Sequence, residues 1–272
     1  MSETANLDNP EFEDATQSKA PKKKWMLIGA VIVAIIATIA VAALIANLVG
    51  NNNPDHGAEV AEHDGHSQEM GNNNRGDADT SDVDPQAKDM IDMQHRLESG
   101  DPRALGSVDA PVIVEVYSDF QCGHCADFAV NTLSKINDLI EDGTVRIEFN
   151  NFPVLGDQSI LAARAAVAAG EQGKFWEFHN YLYKNVVAGT PIEYTEEGLT
   201  AAALKVGVSD QAKFQADMEK AAQTVQQEQA NALQNLRLEG TPSIFIGYLF
   251  AGGSISEDTF RQAVTQELAR YK

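Results

Sequence analysis

The chain has 272 residues, 20 basic against 40 acidic side chains, a formal net charge of −20 and two cysteines. Residues 1–24 hold 4 basic and 5 acidic side chains, 51–104 hold 4 and 13, and 105–272 hold 12 and 22, so no segment is basic overall. A phosphate backbone is bound by clustered Lys and Arg, so nucleic acid is excluded as a natural partner.

Residues 25–49, WMLIGAVIVAIIATIAVAALIANLV, carry no charge. As a helix they would span ~37 Å at ~1.5 Å per residue, enough to cross a bilayer with some tilt. The alternative is a cleaved signal peptide, whose apolar region is usually only ~7–15 residues long and ends in a small-x-small exit; this run ends in IANLVG. Lys19, Lys22, Lys23 and Lys24 precede the run and the next basic residue is Arg75. The positive-inside bias thus predicts a cytoplasmic tail at 1–24, a single-pass signal-anchor at 25–49, and everything after it outside the cell membrane.

Residues 50–84 are poor in aromatic and branched apolar side chains and rich in Asn, Asp, Glu and Gly, a composition that cannot bury enough surface to offset the entropy of ordering. They predict a disordered acidic linker with a reach of roughly 30 Å. Its His56, His63 and His66 read as solvated side chains, and no metal site is assigned. Residues 85–104 follow as a short helical lead-in.

The pattern then changes. The apolar, branched run 112–117 predicts a strand that leads directly into Cys122 and Cys125. Ala129, Leu133, Ile136 and Ile140 repeat at helical spacing, Asp142-Gly143 predicts a turn, and Val145, Ile147 and Phe149 alternate with polar residues as a second strand. This is a β-α-β unit with the cysteines at the start of its helix. Helices are predicted over 159–169, 175–185, 196–205 and 210–236. Residues 243–246 and 248–251 form a predicted hairpin around Gly247, and Ser256 caps a last helix with Phe260, Val264 and Leu268 on one face.

Cys122-Gly123-His124-Cys125 holds both cysteines of the chain. A helix N-terminus favours negative charge, and an adjacent imidazole adds a donor or partial positive charge, so Cys122 is predicted to be the exposed nucleophilic thiolate and Cys125 its buried partner. Structural zinc needs two more ligands, which no further cysteine supplies, and haem attachment needs a histidine where Ala126 stands. An inert disulfide over so short a loop would constrain the unfolded chain little. A redox-active pair is therefore expected, with no cofactor. Pro242 opens the strand of GTPSIFIGY; it reads either as a trans proline on an edge strand or as a cis bond that presents the Thr241 backbone to an extended substrate beside Cys122.

The motifs DAPVIVEVYSDFQCGHC at 109–125, FWEFHNYLY at 175–183 and GTPSIFI at 240–246 resemble the DsbA-like thiol-disulfide oxidoreductases of the thioredoxin-like superfamily, including membrane-anchored forms. The resemblance covers roughly 104–272. It implies an α/β thioredoxin-like fold over 105–272 with a helical insertion at about 157–238, between the second strand and the cis-proline. It further implies that Cys122 and Cys125 are the redox-active disulfide, His124 the tuning residue, and Thr241 and Pro242 the substrate-binding loop. Reduced or misoxidised secreted proteins would be substrates, and a DsbB- or VKOR-like membrane oxidase the recycling partner. Gly-His is the dipeptide of protein disulfide isomerases and not the Pro-His of strong oxidants, so oxidase, isomerase and reductase remain open, as does a non-enzymatic peptide-binding module. Family members often carry a buried acid six residues before the first cysteine. Here that place is Val116, and Glu115 one step earlier belongs to the opposite face of the strand, either as that acid or as a differently paired or solvated carboxylate.

Overall fold

The computed structural model describes residues 78–271. The predicted tail, the membrane segment and the linker up to residue 77 lie outside the described residues. Among the described residues, no helix is long and apolar enough to cross a membrane. The last part of the predicted linker is already held: Asp79 N–H donates to Arg270 O at 2.7 Å, and the Arg270 guanidinium pairs with Asp82.

Asp84 caps α1 (Pro85–Asp92), accepting from the N–H groups of Gln86 and Ala87 ahead of a proline whose missing donor costs nothing in the first turn. β1 (Ala104–Leu105) and β2 (Val112–Ser118) follow, then α2 (Gly123–Asn131), α3 (Asn137–Glu141) and β3 (Val145–Asn151). The helical periodicity at 129–140 suggests one continuous helix, but the structure breaks it. Thr132 is buried at φ −122°, its hydroxyl donating to Ile255 O at 2.6 Å, and a 3₁₀ turn at Leu133–Lys135 re-aims the chain. Leu133 and Ile136 still reach the core, so the apolar spacing survives the kink.

The sheet order is β1-β3-β2-β4-β5, with β4 (Ser243–Ile246) and β5 (Leu249–Gly252) joined at Gly247. β2 pairs with β3 in parallel and with β4 antiparallel, with Val116 opposite Phe149 and Ile244. Gly247 turns the hairpin at φ 53°, and a Cβ there would sit 2.3 Å from Glu267 Oε2. Every residue of β2 and β3 is buried because helices cover both faces. On one face Val112, Val114, Val116, Val145 and Ile147 pack with Phe128 of α2 and with Phe260 and Val264 of α8 (Glu257–Leu268). On the other, Tyr117, Phe152 and Phe245 pack with Ile91 of α1 and with Ala232 and Leu236.

Between β3 and β4 lies the helical insertion: α4 (Asp157–Gly170), α5 (Phe175–Val187), α6 (Glu196–Lys205) and α7 (Gln211–Gln234). Six buried alanines of α4 let α5, α6 and α7 approach it closely. Thr195, Asp210 and Ser256 each cap a helix by accepting a backbone N–H.

Candidate functional site

Cys122 is the N-cap of α2, so its sulfur lies at the positive end of the helix. It is partly exposed, whereas Cys125, one turn inward, is only 1% exposed, and both are free thiols. The hydrogen bond from the Cys125 thiol, helped by the Thr241 side chain and the backbone N–H groups of Cys125 and His124, brings the Cys122 pKa down to about 5. Burial, together with the hydrogen bond given to Cys122, pushes Cys125 far above the usual thiol range. The pair is therefore asymmetric: one thiolate stable at neutral pH and one thiol that keeps its proton.

The Thr241–Pro242 bond is cis, and Cys122 Sγ lies 3.4 Å from Thr241 O. A cleft of about 560 Å³ continues from this loop, lined by Leu236, Leu238, Thr241, Pro242, Phe245 and Phe250. Phe250 is 57% exposed there.

The His124 ring is exposed and electrostatically coupled to Asp127, while its contribution to Cys122 comes through the backbone N–H. Glu115 is fully buried and faces away from Cys125, on the side of the sheet that carries Glu148, Asn150 and Arg96. Asn150 Nδ2 donates to it at 2.5 Å; burial, reinforced by the Glu148 charge, pushes its pKa well above the carboxylate range. Glu148 goes the other way: against burial, Arg146 and the Arg96 N–H hold it near 2. Glu115 is thus a differently paired carboxyl, and it is not solvated.

Sequence reasoning passed over Asp119. Its buried carboxylate accepts from Gln121 N at 2.8 Å, Ser159 Oγ at 2.7 Å, Val154 N at 2.8 Å and Leu155 N at 3.0 Å, and its own N–H points at Cys125 Sγ at 3.5 Å. It thereby ties the active-site loop to α4 and to the exposed Val154-Leu155 turn. The only signal was a carboxylate three residues before a reactive cysteine. His179, in the aromatic stripe of α5, packs edge-on against Phe149 and Tyr183 in the core, and burial lowers its pKa to about 4.

A five-stranded sheet with a cysteine pair at a helix N-terminus facing a cis-proline defines a thioredoxin-type redox protein. The sequence profile described as Thioredoxin matches residues 98–266, and the chain belongs to that family. It is 30% identical over 173 residues to a probable disulfide bond formation protein D of Bacillus cereus, across 62% of this chain and 79% of that one. To the disulfide bond formation protein D of Bacillus subtilis it is 28% identical over 189 residues, across 67% and 83%. The crystal structure of oxidised BdbD from Bacillus subtilis superimposes with a TM-score of 0.56 at 26% identity, across 62% and 94%. The chain is a DsbA-like thiol-disulfide oxidoreductase with a helical insertion in its thioredoxin fold.

Proposed function

We propose that this protein introduces or exchanges disulfides in secreted proteins through Cys122 and Cys125, from an extracytoplasmic domain held to the cell membrane by residues 25–49. The observation that carries this reading is the asymmetry of the pair: a partly exposed, low-pKa Cys122 at the α2 N-terminus above a buried, high-pKa Cys125. A substrate thiolate attacks Cys122 Sγ of the oxidised enzyme and Cys125 leaves. A second substrate thiolate then attacks the mixed disulfide, and the reduced dithiol enzyme is released. Thr241 and Pro242 hold the substrate as an added strand, and the apolar cleft beyond them takes its flanking side chains. His124 tunes the pair through its backbone amide. A DsbB- or VKOR-like membrane oxidase restores the disulfide.

The anchor and the outward orientation rest on the uncharged run at 25–49 and the lysines before it. The deciding experiment traps thiols with an alkylating reagent in growing cells of the source organism. A Cys122-Cys125 pair found oxidised at steady state supports the disulfide donor; a reduced pair makes the protein a reductase or isomerase. In a transfer assay on a reduced unfolded protein, Cys122→Ala abolishes transfer, whereas Cys125→Ala accumulates mixed disulfides.

A further inference from the structure

We infer that Ser118 and Tyr183 form a buried hydroxyl chain that stabilises the Cys125 thiolate as it leaves, with Ser118 the catalytic contact and Tyr183 the positioning residue behind it. This deepens the redox reading above and rests on it. Ser118, the last residue of β2, and Tyr183 of α5 are both buried, with their hydroxyl oxygens 2.7 Å apart, and the Ser118 hydroxyl works against burial to favour the Cys125 thiolate. Asp119 N–H approaches the same sulfur at 3.5 Å from the next residue.

Each hydroxyl has one hydrogen that rotates to suit its neighbours. Once charge develops on Cys125, the lowest-energy arrangement turns both hydrogens toward the sulfur: Tyr183 donates to Ser118, and Ser118 donates to Cys125. Tyr183 is itself held far above its ordinary pKa by burial and by Cys125, so it supplies a hydrogen bond and keeps its proton. The titratable groups around Cys125 are Cys122 on its own helix, Asp119 on the preceding loop and Tyr183 on α5. Glu115, the acid weighed on the resemblance, faces the other side of the sheet.

The step balances as thiol-disulfide exchange. A substrate thiolate forms an S–S bond to Cys122 Sγ, the Cys122–Cys125 bond breaks, and its electron pair stays on Cys125 Sγ. A second substrate thiolate then displaces Cys122. Two substrate thiols become one disulfide; of their two protons, one ends on Cys125 and the other passes to solvent, because Cys122 stays a thiolate at neutral pH. The hydroxyl chain acts at the first of these steps, where donors whose oxygens are already held in place stabilise developing charge by a turn of their hydrogens alone.

The test compares two rates in the full-length protein. The first is the attack of a small thiol on the oxidised enzyme, in which Cys125 leaves; the second is alkylation of Cys122 in the reduced enzyme, in which it does not. Ser118→Ala is expected to slow the first by about 10–100-fold, the worth of one hydrogen bond to a charged group, and Tyr183→Phe by about tenfold, with alkylation little changed in both. Ser118→Thr, which keeps the hydroxyl, should restore the rate. A folded Tyr183→Phe and a folded Ser118→Ala that are both reduced at the parental rate would overturn the inference, as would equal slowing of both reactions. Its failure is separable from that of the proposed function, because Cys122→Ala and Cys125→Ala report on the redox pair alone.

Discussion

Cys122 Sγ lies 3.4 Å from the carbonyl oxygen of Thr241, 119 residues further along the chain. The contact exists because β2 and β4 are antiparallel hydrogen-bonded neighbours, so the residues that follow one strand and precede the other meet at the same end of the sheet. A nucleophile thus stands beside the cis-proline backbone, the arrangement that suits attack by an extended substrate.

That placement predicts a sharp difference in alkylation. In the reduced protein Cys122 should react with a half-maximal rate near pH 5, while Cys125 stays unlabelled until the protein unfolds. Peptide mass mapping after a short pulse of reagent at several pH values checks it; faster labelling of Cys125 would reverse the two roles. His124→Ala should leave most of the shift in place, since the backbone N–H remains.

The same shift sets the relative stability of the two redox forms. The folded pKa of Cys122 is depressed from 9.0 to about 5, so its thiolate adds stability to the reduced form that is full above the unfolded value, shrinks as pH falls and vanishes below about 5. The residue is partly exposed, which lets solvent screen part of the gain. Reduced protein is expected to melt a few degrees above oxidised protein at neutral pH, with the gap closing toward pH 4. Paired calorimetric scans test this, and a clearly higher-melting oxidised form at neutral pH would favour the reductase.

His179 predicts acid sensitivity of a different kind. Its folded pKa is about 4 against 6.5 for an ordinary histidine, so the unfolded chain protonates first as pH falls, and about 3 kcal/mol of stability is lost between those values. His179→Phe fits the aromatic surroundings and should flatten the denaturation midpoint over this range. An unchanged pH dependence in the variant would place the acid-labile group elsewhere.

Glu115 gives the opposite sign. A carboxyl with a raised folded pKa contributes fully below about 4.5 and destabilises as pH rises toward its folded value. Glu115→Gln keeps the shape and the hydrogen-bonding capacity toward Asn150, and should melt higher than the parent at about pH 8 while matching it near pH 4. If the variant also lost disulfide exchange with its stability intact, Glu115 would have a chemical role despite facing away from Cys125.

Much of this was readable from local pattern. A branched apolar run, a helical period after the cysteines and an alternating strand placed β2, α2 and β3 to within a few residues, and Ser256 was legible as a cap because its partner is three residues away. Local pattern failed at Thr132, where the helical spacing continues but a side chain bonds the carbonyl of Ile255, distant in sequence. It also missed β1, whose two residues pair with β3 through contacts that no periodicity encodes.

The sequence by itself determined the chemistry available: two sulfurs three apart at a helix start, and one proline opening an apolar strand. Tertiary structure decided how that chemistry is tuned. Which sulfur is desolvated, which carboxyls lie beside it and which hydroxyls reach it depend on the faces that strands and helices turn toward one another. Glu115 and Asp119, four positions apart on the same strand and its following loop, show the difference. One is pushed toward its neutral form behind the sheet among Glu148 and Asn150, and the other is wrapped in four hydrogen bonds beside Cys125. Both are acids in a buried stretch of sequence, and desolvation and hydrogen bonding, which act through space, separate them.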